Sequence, residues 1–282
     1  MNTLTRFGIA LLCIAICGCT GSGDSDKKFT GDVGLLTANY QIVDLRNGQI
    51  TSLAKVSDLR TNAAYRDYLI VFRKVQTNGT VGASNSAIGG SEDPPRRSVS
   101  VGPIYLAAFE LTQAQWQRIA GTSPWSVLTT TVPGGDVTVA SDAPMVGATH
   151  SQIVSALNSW SSRVAYQFRL PTNDEWELAC RAGNSTLFSW GSDYTAATTA
   201  TYCRSWEVAA GVRGCESVGS RSPNGLGFYD MHGNAAELTR EGGLRGGSWN
   251  TPTLMTRSAH VADIDPDIAH AQVGCRLVYL PQ

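Results

Sequence analysis

Neither sign of charge predominates in this chain, with Lys and Arg totalling 22 against 23 Asp and Glu. The balance leaves no basic footprint for nucleic acid or for an anionic lipid surface. No internal repeat of roughly 20 to 50 residues marks a solenoid or a propeller. Histidine is scarce at four, His150, His232, His260 and His270, and no HxxxH pair sets two metal ligands on one helix face. The apolar run Phe7 to Ile16 is too short to span a bilayer. Between Asn250 and Val273, finally, neither a helical nor a strand period is sustained.

The N-terminus does carry a signal. Arg6 followed by the apolar run reads as a secretory leader over residues 1–18. The small residues before Cys19 resemble the lipobox of bacterial lipoproteins, which implies lipidation of Cys19 as the new N-terminus. A polar tether, 19–32, follows as an anchored domain requires. The expected location is the bacterial cell envelope, lipid-anchored at the outer membrane or cell surface, with the lipid as the contact to the membrane.

Residues 33–282 are long enough for one domain with its own core. Glycine, at 29 of 282, exceeds the usual ~7% and implies many turns. Val33 to Leu59 has moderate β character and suits an added strand pair, and YLIVFRKV at 68–75 reads as a central strand. The Gly/Ser/Asn-rich stretch that follows is expected to be irregular. RRSVSVGPIYLAAFELT alternates at Val99 and Val101 and reads as strand and turn. Three helices are expected. LTQAQWQRIAG opens on a Thr112/Gln115 capping box and closes on Gly121. Ser151 to Val164 aligns Ile153, Leu157, Trp160 and Val164 on one face. TNDEWELACRAG opens on a Thr172/Glu175 box and is expected to stop at Gly183. Beyond Asn184, FSWG and ATYC read as turns and short strands. The class is α+β, with few short helices, short strands and many loops.

Beyond the leader and Cys19, four cysteines remain: Cys180, Cys203, Cys215 and Cys275. Exported chains meet oxidising conditions, so two disulfides are allowed, with three connectivities. Cys203 and Cys215 bound a loop short enough to be stapled, a pairing that would leave Cys180 with Cys275. Four buried thiols are the alternative.

The motifs FELTQAQW (109–116), PMVGATH (144–150), FRLPTNDEWELACRAG (168–183), FSWG (188–191), NGLGFYDMHGNAAEL (224–238), LRGGSW (244–249) and GCRLV (274–278) together resemble the formylglycine-generating enzyme, or sulfatase-modifying factor, superfamily. The resemblance implies a C-type lectin-like fold. Copper-dependent members use a CxxxxC pair shortly after RGGSW to oxidise a client cysteine. Here the two positions are Thr251 and Thr256, and hydroxyls are poor ligands for Cu(I). No enzyme activity, cofactor or metal is therefore expected. His150 and His232 are expected to pack. Asp265-Pro266-Asp267 is similar to a calcium-holding element of some lectins, but its WND companion is missing, so this loop is expected to be solvated.

A second branch of the fold, the variable proteins of diversity-generating retroelements, keeps a skeleton RGGSW…RSA…PD…GFRLV within a C-terminal segment that corresponds here to about 233–282. This sequence has RGGSW at 245–249, RSA at 257–259, PD at 266–267 and GCRLV at 274–278. The resemblance implies a non-catalytic, lipid-anchored display protein with a diversified C-terminal binding surface for a protein or cell-surface ligand; the alternatives are an enzyme or accessory protein of the sulfatase-modifying class and an envelope scaffold lipoprotein. Its candidate contacts are Thr251, Thr253, Leu254, Thr256, His260, Ala262, Asp263, Ile264, Asp265, Ile268, Ala269, His270 and Ala271. Exposed aliphatic groups among them favour a protein or mixed ligand over a purely ionic one.

Overall fold

The computed structural model describes residues 38–83, 93–131, 137–164 and 166–281. The leader, Cys19 and the tether lie outside them, and the described residues all belong to the unit Val33–Gln282. Among the described residues no helix is long and apolar enough to cross a membrane.

β1 (Tyr40–Asp44), β2 (Ile50–Leu53), β3 (Leu69–Lys74), β6 (Tyr105–Ala107), β7 (Gln167–Arg169) and β11 (Val278–Leu280) form one antiparallel sheet, ordered β2-β1-β3-β6-β11-β7. β1 and β2 are the strand pair expected before Leu59. β3 is interior, and its Ile70, Val71 and Phe72 are all buried. Burial on both faces is why YLIVFRKV shows a continuous apolar run instead of alternation. β11, the last strand, is inserted between β6 and β7, so the residues just before it are fixed from two sides.

A second sheet matters more for function. β8 (Ala236–Leu238) lies between β9 (Leu244–Arg245), antiparallel to it, and β10 (Val273–Gly274), parallel to it. The chain from Gly246 to Gln272 thus leaves one flank of β8 and returns to the other.

The capping boxes form as the sequence indicates. Thr112 and Gln115 open α2 (Gln113–Ala120), with Gly121 left-handed after it, and Thr172 and Glu175 open α5 (Asn173–Arg181). α5 ends one residue earlier than expected, with Ala182 left-handed before Gly183. α4 (His150–Val164) buries Ile153, Leu157 and Trp160. Helices unforeseen in the sequence are α1 (Ala64–Asp67), α3 (Pro124–Thr131), α6 (Ala196–Tyr202) and α7 (Trp206–Ala209); ATYC, read as turn or strand, ends α6.

The stretch expected to be irregular contains β4 (Asn78–Val81), paired with β5 (Arg97–Ser100). Its composition hides the strand because Gly79 is selected by tertiary contact: a Cβ there would lie 2.5 Å from Leu178 Cδ2. Glycine in a strand commonly marks such a close approach.

The cysteine expectation is corrected. Cys180, Cys203, Cys215 and Cys275 are free and buried. Cys180 Sγ sits 3.5 Å from His232 Nε2 and 3.6 Å from Ser258 Oγ. Cys203 faces Thr256 Oγ1 at 3.6 Å, and Cys215 donates to the Asn234 carbonyl at 3.4 Å. Neither the Cys203–Cys215 nor the Cys180–Cys275 bond forms, because each sulfur is enclosed by its own neighbours. Cys180 and Cys275 even belong to different apolar clusters, one around Trp176 and one around Trp116, Trp160 and Trp249.

Candidate binding surface

The segment from 246 to 272 is pinned by two arginines from the motifs that flank it. Arg245 donates through Nη1 to the carbonyls of Ser258, Ala259 and His260 at 3.0 to 3.2 Å, and through Nη2 to Glu177 Oε2 at 3.0 Å. Arg276 makes a two-pronged pair with Glu237 at 2.6 and 2.7 Å, and Glu237 also accepts from Trp176 Nε1 at 2.7 Å. Both pairs are essentially solvent-free. Removing one member of such a pair leaves an uncompensated buried charge, so these residues are fixed by the fold itself.

Between the clamps the first half of the segment turns inward. Gly247, at φ 66, leaves space that a Cβ would fill to within 3.0 Å of the methyls of both Thr251 and Thr256. A short 3-10 helix, Thr253–Thr256, follows. Thr256 is 0% exposed and donates to the Thr253 carbonyl at 2.8 Å. Thr253 donates to Glu207 Oε2 at 2.8 Å and contacts Ser205 Oγ at 2.8 Å. Arg257, of the RSA motif, forms a bidentate pair with Asp93 at 2.6 Å to each carboxylate oxygen. Burial pushes the Asp93 carboxyl up, yet its bonds and charge contacts to His260 and Arg257 prevail and hold it below the ordinary range. His260 Nδ1 lies 3.7 Å from Asp93.

Four expected contact residues are thereby corrected: Thr253, Thr256, His260 and Ala271 are buried. Thr253 and Thr256 spend their hydroxyls on local bonds, and His260 lies beside the Arg257–Asp93 pair, which the sequence pattern does not reveal. Thr251, Ala262 and Ile264 are half-buried. Leu254, Asp263, Asp265, Ile268, Ala269 and His270 are exposed, with Ile268 at 53%.

The exposed arc has a definite support. Asp267 Oδ1 accepts from the Ser151 backbone N–H at 3.2 Å and from the Ser151 hydroxyl. The Pro266 carbonyl accepts from the His150 N–H at 2.8 Å, a bond that closes the start of α4. Asp265 Oδ1 accepts in turn from Asp267 N–H at 3.1 Å. Asp267 is thus a helix cap for α4, where a carboxylate also meets the favourable end of the helix dipole. Its Oδ1 is engaged by the fold, and among the described residues no cluster of His, Cys, Asp or Glu is arranged to hold a metal.

The arrangement does not fit copper. Thr251 Oγ1 accepts from Ser248 N–H at 2.9 Å, and Thr256 Oγ1 is bonded as above. The nearby sulfur, Cys203, has its thiol pushed up to about 12 by burial. A ligand for Cu(I) must be a thiolate, and one buried, protonated thiol beside two hydroxyls does not supply the pair that the chemistry requires.

Several residues that shape this surface carry no mark in the sequence. Asp93, Ser205, Trp206 and Glu207 come from distant parts of the chain. Trp206 is 53% exposed, and its backbone N–H donates to the Thr251 carbonyl at 3.0 Å. No local pattern singles them out, since their partners are remote in sequence, 46 residues away for Glu207 and 164 for Asp93.

Comparison with known proteins places this geometry. Residues 75–280 match the sulfatase-modifying factor enzyme 1-like domain. The formylglycine-generating enzyme of Bos taurus is 27% identical over 208 residues, covering 57% of this chain and 55% of that one. The chain therefore spans just over half the length of the curated relatives it matches first. Among solved structures, Treponema denticola variable protein 1 superposes with a TM-score of 0.59 at 20% identity, covering 76% of this chain and 96% of that one. PvdO from Pseudomonas aeruginosa gives 0.60 at 19%, covering 75% and 94%. At these identities the structures establish the fold alone, which is the C-type lectin-like fold of the formylglycine-generating enzyme type. The chain belongs to the family of sulfatase-modifying factor enzyme 1-like domains.

Proposed function

We propose that this protein is a non-catalytic, lipid-anchored display protein of the bacterial envelope that binds a protein or cell-surface ligand through the exposed arc 262–270 and the neighbouring Leu254. The observation that carries this reading is the contrast within one segment. Thr256 is 0% exposed and Ile268 is 53% exposed, although both lie between the same two arginine clamps. A surface built this way takes its stability from buried pairs, so its outward side chains change at little cost to the fold. Ile268 and Leu254 offer apolar contact area, and Asp263, Asp265 and His270 offer polar contacts. The fold shared with Treponema denticola variable protein 1 supports the reading, as do the threonines at the positions of the oxidase cysteines.

Sequencing the gene across a population of its source organism tests it. Substitutions concentrated at codons for the exposed positions, with RGGSW, Arg257 and GCRLV constant, are expected. A segment as invariant as its flanks would overturn the diversified reading. Conversion of a cysteine to an aldehyde in a CxPxR peptide, by the purified protein with copper, would overturn the non-catalytic one.

A further inference from the structure

A cavity of about 360 Å³ opens between α4, β7 and the residues that follow β8. Its apolar lining includes Leu157, Phe168 and Leu170, and its polar lining includes His150, Arg169 and Arg240. The polar groups differ in what they have left to offer. Arg169 is committed to Glu175, with two bonds of 2.7 Å. Arg240 is exposed, and its guanidinium has no partner among the described residues. His150 Nε2 is shielded from solvent and has no hydrogen-bond partner. Being shielded, this nitrogen does not face the open space, which leaves the Arg240 guanidinium as the cation the cavity can offer a ligand.

We propose that this cavity is a further binding site, for a singly charged carboxylate that carries a short aliphatic body. The carboxylate is held by Arg240, and the body lies on Leu157, Phe168 and Leu170. One uncommitted guanidinium matches one negative charge, and its planar fork suits the two oxygens of a carboxylate. The volume is at the lower end of the ~300 to 1,000 Å³ typical of ligand pockets, enough for a small group. Such a ligand is either a free carboxylic acid or the C-terminal residue of a peptide, and the two share the chemistry that the site recognises. The site adjoins the exposed arc, since the His150 N–H bonds to the Pro266 carbonyl. It does not rest on the display reading, because no side chain used here lies between 250 and 273.

Isothermal titration of the purified protein with four probes tests the proposal: N-acetylleucine, N-acetylleucinamide, and a pentapeptide ending in leucine with a free or an amidated C-terminus. Saturable binding of at least one free acid is expected, with neither amide binding. Binding of N-acetylleucine alone assigns the site to small acids, and binding of the free-ended pentapeptide assigns it to chain ends. Arg240→Ala, at an exposed position, should weaken the bound acid about ten-fold or more, as loss of a hydrogen bond to a charged group does. An unchanged melting temperature in Arg240→Ala verifies that the fold persists. The proposal is overturned if neither acid binds, if the amides bind equally well, or if Arg240→Ala leaves the affinity unchanged. Substitutions at Asp263, Asp265 and Ile268 should leave these affinities alone, so this site and the display surface fail separately.

Discussion

His232 Nδ1 donates to the carbonyl oxygen of Thr256 at 2.8 Å, tying the MHGN turn to the inner half of the candidate segment. The other ring nitrogen accepts from the Ser189 backbone N–H at 3.2 Å. The ring is therefore neutral, with its proton on Nδ1, and a second proton would be driven toward a donor. Burial pushes the imidazole down to about 4 from an ordinary 6.5.

This makes a prediction about acid. The folded state binds the His232 proton less readily than the unfolded state, so the contribution is present above about 6.5 and is lost as pH falls toward 4. Between pH 7 and 4.5 it amounts to about 2 to 3 kcal/mol, at ~1.4 kcal/mol for each tenfold change in proton affinity. Buried Asp230 acts in the opposite sense: desolvation raises its carboxyl to about 6, so its contribution is lost as pH rises through 6. Urea unfolding of the wild type and His232→Gln at both pH values separates them, because Asp230 is common to both proteins. The loss of stability on acidification should shrink by about 2 to 3 kcal/mol in the variant.

Arg257 and Asp93 form a nearly dry pair, with side chains 4% and 1% exposed. Arg257→Ala should destabilise the protein by about 3 to 5 kcal/mol, because Asp93 is left buried without its guanidinium. The double variant Arg257→Ala, Asp93→Ala should recover part of that loss. A double-mutant cycle in denaturant checks both statements.

The four cysteines of the domain should be inert while it is folded. Burial pushes the Cys180 and Cys203 thiols up to about 12 and raises Cys215 and Cys275 as well. Alkylation at pH 8, read by mass spectrometry on protein beginning at Val33, should add nothing to the native chain. All four should react once denaturant is present, without any reductant. Failure to label after denaturation would mean that disulfides had formed.

Tolerance should follow burial within the segment. Asp265→Asn, Ile268→Ser and Ala269→Ser should each change stability by no more than about 0.5 kcal/mol. Thr256→Leu forces extra methylenes against Cys203 and the space beside Gly247, and should cost about 1 to 3 kcal/mol. Thermal melts of the four variants give the comparison.

Lipid anchoring through Cys19 is checked by detergent-phase partitioning of the protein expressed in a bacterial host. The wild type should enter the detergent phase and Cys19→Ser should remain aqueous. A wild type that stays aqueous would contradict the anchor.

Family, α+β class and the local signals that need only near neighbours are legible in the order of the amino acids. Both capping boxes and the amphipathic face of α4 are of this kind, since each is specified within about four residues. The segment between RGGSW and GCRLV is located by its flanks in the same way. Which of its side chains face outward is not written there, because a stretch without a period carries no record of its faces. Partners far away in sequence set that pattern once the chain is folded: Asp93 holds Arg257, Glu207 holds Thr253, and His232 holds the Thr256 carbonyl. The cysteines follow the same logic. Spacing allows two disulfides, but packing encloses each sulfur among different neighbours, and a disulfide requires the two Cβ atoms to approach within about 4 Å of each other.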